Sequence, residues 1–230
     1  AARIPHKAFE SRSKTMKIID LTHTYETGQL AGNPARHPSV KLTPMGRLAE
    51  SGCNTSSLLL GTHTGTHMDA PYHLIANGET IDNIDLAYCT GDVTIVDFRN
   101  FKAGESVDIS DLSDICISKR MIFLFGWDKY YGTSGYSENW PYFSIDAVKH
   151  LVQHGLRLLV IDTPSPDKKA TGCGNDYAVH KFLFRNGVNI IESIANTDNI
   201  SFSKNYSIAA LPLKLKGLDG SPCRVILIEK

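Results

Sequence analysis

His63-Thr64-Gly65-Thr66-His67-Met68-Asp69-Ala70-Pro71-Tyr72-His73 stands apart from the rest of the chain. Its four groups able to bind a metal or move a proton fall at 63, 67, 69 and 73, all odd positions, so an extended backbone turns them to one face. A helix is a poor host, because Gly65 and Pro71 disfavour it and residues 67 and 69 would point to different sides. The helical H-E-x-x-H pattern, whose histidines meet one turn apart, is absent. A straight strand would hold the α-carbons of His63 and His67 about 13 Å apart. Zinc–nitrogen bonds are only about 2.0–2.1 Å long, so a shared ion requires the chain to bend. Gly65 permits that bend. We expect the run 57–60 to supply a rigid strand whose end curls into a short loop, with His63, His67 and Asp69 on a metal. A lone histidine is more often a satisfied polar residue, and Asp69 alone could cap a turn before Ala70-Pro71. Three histidines and an aspartate around one glycine are much harder to explain that way.

Outward from this segment, short apolar and β-branched runs recur at 17–21, 93–98, 121–125, 156–161, 188–191, 208–211 and 225–228. Each is bounded by Gly, Pro, Asn or Asp, as strands are. A helix is expected over 144–154, with Ser144 as N-cap, Asp146 in the first turn and Gly155 as its stop. A second is expected over 177–185, ending at Asn186-Gly187. Strands outnumber helices, so the class is α/β, or α+β, with a mixed or barrel-like sheet and peripheral helices.

The bulk properties narrow the function. Lys plus Arg and Asp plus Glu are both 24, a neutral balance that argues against nucleic acid as a partner. No apolar stretch reaches the roughly 20 residues a bilayer span needs. Five scattered cysteines with no C-x-x-C pair fit a reducing compartment better than a disulfide framework. Cys173, between two glycines, reads as a small loop residue, since a reactive thiol needs an electropositive setting. Residues 1–15 lack an apolar signal core and are set aside as a natural extension or expression remnant, leaving 16–230 as one domain. The expected location is the cytoplasm.

The motif resembles the signature His-x-Gly-Thr-His-x-Asp-x-Pro-x-His of the cyclase family of metal-dependent hydrolases, bacterial kynurenine formamidases and isatin hydrolases among them. Residues 63–73 match every fixed position. The resemblance continues through Ile18-Ile19-Asp20-Leu21-Thr22, Phe125-Gly126-Trp127-Asp128 and Ile161-Asp162-Thr163-Pro164-Ser165-Pro166-Asp167. It extends into His180-Lys181-Phe182-Leu183-Phe184-Arg185-Asn186-Gly187 and Ile190-Ile191-Glu192, so it runs from about Met16 to the C-terminus. It implies a compact cyclase-like domain of the swivelling β/β/α type, assembled as a homodimer or larger. It also implies two divalent ions per chain, the first on His63, His67 and Asp69. Asp69 would bridge to the second, held also by His180 and Glu192, with His73 as proton donor and acceptor.

Taken alone, His180 reads as a surface or cap residue and Glu192 as a polar strand end; the resemblance raises both. Asp162 and Ser165 read equally well as turn formers beside Pro164. The chain departs from kynurenine formamidases where these carry an aromatic in a Trp-Pro-Gly-Asp-like stretch. Here Leu30-Ala31-Gly32-Asn33-Pro34 stands in its place, and an aliphatic Leu30 offers no stacking face to a substrate ring. Trp127, with Tyr130 and Tyr131, could line an aromatic pocket, although core packing is the ordinary role of a tryptophan. The stretch 167–177 reads either as a lid or as a variable surface loop.

The donor set suits zinc or manganese without choosing between them. A cation acidifies its water and polarises a carbonyl, and a histidine such as His73 titrates in the right range to shuttle the proton. The leading expectation is therefore hydrolysis of an amide bond in a small, aromatic or cyclic substrate, kynurenine formamidase-like. Isatin opening and lactone or ester hydrolysis would use the same machinery. A non-catalytic metal- or ligand-binding protein on this fold is the alternative of another class; the complete set of ligands argues against it.

Overall fold

The apolar runs become strands because branched side chains fit a pleated surface buried on both sides. The computed structural model of the protein describes residues 16–29, 37–169 and 176–230; the segment 1–15, Leu30 and Cys173 fall outside them. In chain order the strands are β1 (Ile18–Asp20), β2 (Lys41–Gly46), β3 (Thr55–Leu59), β4 (His67–Asp69), β5 (Thr90–Asp97), β6 (Ser106–Val107) and β7 (Arg120–Leu124). They continue with β8 (Tyr142–Phe143), β9 (Leu158–Ile161), β10 (Asn189–Glu192), β11 (Tyr206–Pro212) and β12 (Gly220–Glu229). The α-helices are α1 (Leu48–Ser51), α2 (Ile145–Gln153) and α3 (Ala178–Arg185).

β12 is long enough to be shared. β11 pairs along one side of it, while its other side takes β4 against residues 220–222 and β1 against 226–228. That sharing closes a ring of seven strands in the order β4, β12, β11, β5, β7, β9, β10, and β1 adds an eighth outside the closure. β5, β7, β9 and β10 are parallel neighbours; the remaining pairings of the ring are antiparallel, so the barrel is mixed.

Alternation along the strands sorts the core into two layers. Ile122 and Leu124 of β7 join Met68, Val160, Ile191, Val225 and Leu227 in the barrel interior. Met121 and Phe123 face the other way and pack with Ile161, Ile190 and the helices, where Val148, Leu151 and Leu183 lie. Each fully buried side chain of this size contributes roughly 1.5–3 kcal/mol. α2 starts as its sequence dictates, with Ser144 Oγ accepting from the Ala147 N–H at 3.1 Å, and it stops at Gly155, whose φ is +97°. Among the described residues no helix is long and apolar enough to cross a membrane.

All eight expected strands and both expected helices are present within a few residues. One expectation is corrected. The run 57–60 ends β3, which pairs only with β2 in a separate two-stranded sheet and is exposed throughout, so it is no scaffold for the motif. The core strand is instead β4, inside the motif itself, wedged between β10 and β12.

Candidate active site

β4 sets His67 and Asp69 on one face, and β10 pairs so that Glu192 lies directly opposite His67. Ile190, on that same face, belongs to the helix-covered layer. The site therefore lies on the outer wall of the barrel beneath α3, not in its interior. α3 sends His180 down onto it, 3% exposed. His63 comes from the turn before β4, and Gly65 makes that turn. Its φ is +62°, and a Cβ there would lie 2.7 Å from Tyr25 Cε1, so the bend requires glycine. The Tyr25 hydroxyl reaches the carbonyls of Thr64 and Thr66, at 3.0 and 3.2 Å, bracing the same turn.

The side chains converge. Asp69 Oδ1 lies 2.6 Å from His63 Nδ1 and 3.2 Å from His67 Nε2, while its Oδ2 lies 3.3 Å from His180 Nε2. Glu192 stands 3.4 Å from His67 Nε2 and 3.0 Å from His180 Nε2, using a different oxygen for each. Two ligand triads result, His63–His67–Asp69 and Asp69–His180–Glu192, each with its donor atoms within 4.8 Å of one another and both sharing Asp69. The outer ring nitrogens of two histidines are tied down. His67 Nδ1–H donates to the Gly65 carbonyl at 2.8 Å, and His180 Nδ1–H to Asp167 Oδ2 at 2.5 Å. Both tautomers thus turn Nε2 inward.

This donor set fits a divalent cation. Among the described residues His67 Nε2 and Glu192 Oε1 are buried and make no well-formed hydrogen bond. They meet only other inward-facing donors and acceptors of the cluster at 3.0–3.4 Å, an expensive arrangement that a cation between them would relieve. The protonation pattern agrees. Burial opposes charge on every ring, yet Asp69 and Asp219 raise His63 to about 8, and Asp69 and Glu192 raise His67 to about 10. His180 is also driven well above its ordinary value, by Asp167, Asp69 and Glu192 against its burial. Asp69, though burial opposes its ionisation, is held well below the usual carboxylate range by His63, His67 and His180. Protons on these rings would do the work of a cation, and a metal bound here would release them.

His73 follows Pro71 in a short 3-10 turn, its ring 4.1 Å from that of His63 and 6.3 Å from that of His180. Its side chain is 28% exposed, so it stands on the open side of the cluster. Trp127 is buried in the helix-covered layer, and its indole N–H donates to the Tyr136 carbonyl. Tyr131 is the aromatic nearer the motif, stacked on His23 at 3.5 Å with its hydroxyl close to Gly65. Leu30 lies outside the described residues. Asp162 is a structural brace, its buried carboxylate accepting the Phe125 and Trp127 N–H groups. Ser165 likewise serves its own turn, accepting from the Asp167 N–H.

Three neighbours escaped the reading of the sequence. Asp167 caps α3 and orients His180. Asp219 contacts His63 and His73, and His37 brings its ring within 5.8 Å of His63. The one available signal was Asp219-Gly220-Ser221-Pro222, an acid on a turn just ahead of a strand.

A buried histidine–carboxylate cluster that suits a divalent cation, with a partly exposed histidine at its open side, defines a metal-dependent hydrolase. The chain belongs to the cyclase family: the family model described as "Putative cyclase" matches residues 19–168. It is 30% identical over 214 residues, 93% of this chain and 98% of the other, to a kynurenine formamidase of Bacillus thuringiensis subsp. konkukian (strain 97-27). The solved structure of a potential metal-dependent hydrolase with cyclase activity superposes with a TM-score of 0.75 at 25% identity, covering 94% of this chain and 98% of that one. An isatin hydrolase bound to the product analogue thioisatinate superposes with a TM-score of 0.79 at 21% identity, covering 93% and 92%, a likeness of fold.

Proposed function

We propose that the protein hydrolyses a carbon–nitrogen bond other than a peptide bond, the amide of a small aromatic or cyclic substrate, as a kynurenine formamidase-like enzyme. The observation that carries this reading is the convergence of buried histidine nitrogens and carboxylate oxygens in two triads that share Asp69, with His67 Nε2 and Glu192 Oε1 turned inward and making no well-formed hydrogen bond. His63, His67 and Asp69 would hold one divalent ion, zinc or manganese, and Asp69, His180 and Glu192 a second. Bound there, the cation supplies a water acidified toward neutrality and polarises the carbonyl under attack. His73 takes the water's proton on the ring nitrogen turned away from Asp219 and returns it to the departing nitrogen. His67 and His180, anchored through Nδ1, keep Nε2 aimed inward throughout. The open side at His73 admits substrate, and Leu30 is the side chain proposed to meet its ring, while Trp127, packed in the helix-covered layer, keeps a core role instead of the substrate contact expected of it. Residues 16–230 would form the catalytic domain, with 1–15 a natural extension or an expression remnant, in a cytoplasmic homodimer or larger homo-oligomer.

N-formylkynurenine and isatin, assayed side by side on protein stripped with a chelator and reloaded with zinc or manganese, test the proposal. Turnover of either should vanish on stripping, return on reloading and fall by at least about 10²-fold in His73→Ala, the low end for a general acid–base group. A protein that binds no metal after stripping and reloading would end this reading. Metal binding with full activity in His73→Ala would leave the cluster but remove His73 from the chemistry.

A further inference from the structure

The anchoring of His67 and His180 has a counterpart at His63. His67 gives its outer N–H to a carbonyl and His180 gives its own to Asp167. His63 Nδ1 faces Asp69 at 2.6 Å, and its other nitrogen, Nε2, meets Asp219 Oδ2 at 2.8 Å. The same oxygen stands 3.6 Å from His73 Nδ1. Closure of the barrel puts Asp219 there. It directly precedes β12, where Gly220 registers with Asp69, and its own carbonyl accepts the Ala70 N–H at 2.9 Å. Gly220 leaves room for the His63 ring, since a Cβ at that position would come within 2.9 Å of His63 Cε1. Position 219 is thereby locked between the motif's first and last histidines.

These donors also form a third cluster, His63–His73–Asp219, with ligand atoms within 4.8 Å of one another. Filling it with a cation while His63 Nδ1 serves the first ion would demand an imidazole bound through both nitrogens. The geometry points to a different role: Asp219 is a positioning residue whose single carboxylate oxygen holds His63 in the tautomer that faces the ion and keeps His73 aimed at the substrate. The inference rests on the proposed metal hydrolase and names a residue that couples its metal site to its proton carrier. A carboxylate behind a ligating histidine fixes ring and tautomer and raises ligand basicity, and losing such a partner costs 10- to 100-fold in metal affinity or activity.

Chelator competition on the full chain tests this without any turnover. Asp219→Ala should weaken zinc or manganese binding about 10- to 100-fold while the number of ions bound at saturation stays as in the wild type. At saturating metal, kcat should fall with KM little changed, because His73 is misaligned while the substrate pocket is not. Asp219→Glu should restore part of both. Thermal melts of metal-free wild type and Asp219→Ala, expected to differ only by the modest loss of the His63–Asp219 pair and to stay equally cooperative because the backbone bond to Ala70 remains, separate positioning from misfolding. An Asp219→Ala protein that equals wild type in metal affinity and kcat would overturn this inference and leave the hydrolase reading standing. Loss of one bound ion per chain would overturn it in favour of a third cation site. A wild-type protein that binds no metal would bring down both.

Discussion

At position 65 a left-handed backbone and a crowded turn meet, and the cost of disturbing them can be separated. Gly65→Ala forces a side chain into φ +62° and against Tyr25, whereas Gly187→Ala meets the same conformational penalty, at φ +68°, with nothing within 4 Å. About 1 kcal/mol is expected for conformation alone, and roughly 2–3 kcal/mol where a steric clash adds to it. Thermal melts should therefore show Gly65→Ala losing clearly more stability than Gly187→Ala, and only Gly65→Ala should also weaken metal binding, because it moves His63. Equal melting temperatures would show that Tyr25 simply steps aside. Asp162 offers a pH-dependent case. Burial raises its carboxyl to about 7 from the usual 3.8, outweighing the N–H groups of Phe125 and Trp127 that favour the charge. A raised acid binds its proton more tightly when folded, so its stabilisation is complete below about pH 4 and is lost as pH rises through 7. The stability of wild type relative to Asp162→Asn should fall across that window by up to about 1.4 kcal/mol per pH unit. A flat difference would mean that the N–H donors, not burial, decide the charge. Residue types and spacing alone made His63, His67, Asp69 and His73 legible, because four such groups rarely crowd so closely. Asp219, 150 residues from Asp69 in sequence, had no such local density, and only strand pairing reveals it.

At the scale of the element, α3 shows why a helix can be legible while its purpose is not. Its apolar spacing and the Asn186-Gly187 stop mark it out, and it runs over Ala178–Arg185. Its start is less obvious, since Tyr177 has a left-handed φ of +48° and provides no side-chain cap. The cap comes from Asp167, whose carboxylate accepts the N–H groups of Val179 and His180 at 2.8 and 3.0 Å and also holds His180 Nδ1. One side chain thus fixes the helix end and the ligand it carries. Asp167→Ala should cost about 1–2 kcal/mol through the lost cap and, independently, lower metal affinity about 10- to 100-fold through the freed imidazole. Denaturant melts of the metal-free protein read the first effect and chelator competition the second. Asp167→Asn keeps an acceptor for the helix but removes the charge beside His180, so it should recover most of the stability and less of the affinity. If the two properties recovered together, cap and ligand support would be a single function. β4 was hidden for a related reason. Three residues are too short for a period-two signal, and its strand character comes from β10 and β12 on either side.

The whole molecule shows where local signals stop. Apolar runs identify the strands, but ring closure depends on β12 serving β11, β4 and β1 together, and no run of sequence encodes such a long-range arrangement. The same limit applies to β3, whose run 57–60 reads as ordinary strand yet forms a hairpin with β2 outside the barrel. Leu42, Met45, Leu48, Leu58 and Leu59 are all exposed on it or on α1 between its strands, Met45 by 69% and Leu58 by 65%. An isolated hairpin is marginally stable in water at best, and a concentration of exposed apolar side chains marks an interaction surface. If the chain assembles as proposed, this arm is where the contact is expected. Sedimentation should give a multimer of the 25.3 kDa chain at micromolar concentration, and Met45→Glu with Leu58→Glu should shift it to monomer by burying charge in the contact. The arm is tied to the chemistry by the chain itself, because β3 ends at Leu59, four residues before His63. Gly61, between them, lies against His37, which faces the His63 ring. Loosening the arm should therefore lower kcat/KM while metal affinity stays close to wild type, since β4, β10 and α3 hold the other ligands. A monomeric wild-type protein would reject the contact, and a monomeric variant of unchanged kcat/KM would show that the arm assembles the molecule without touching its site.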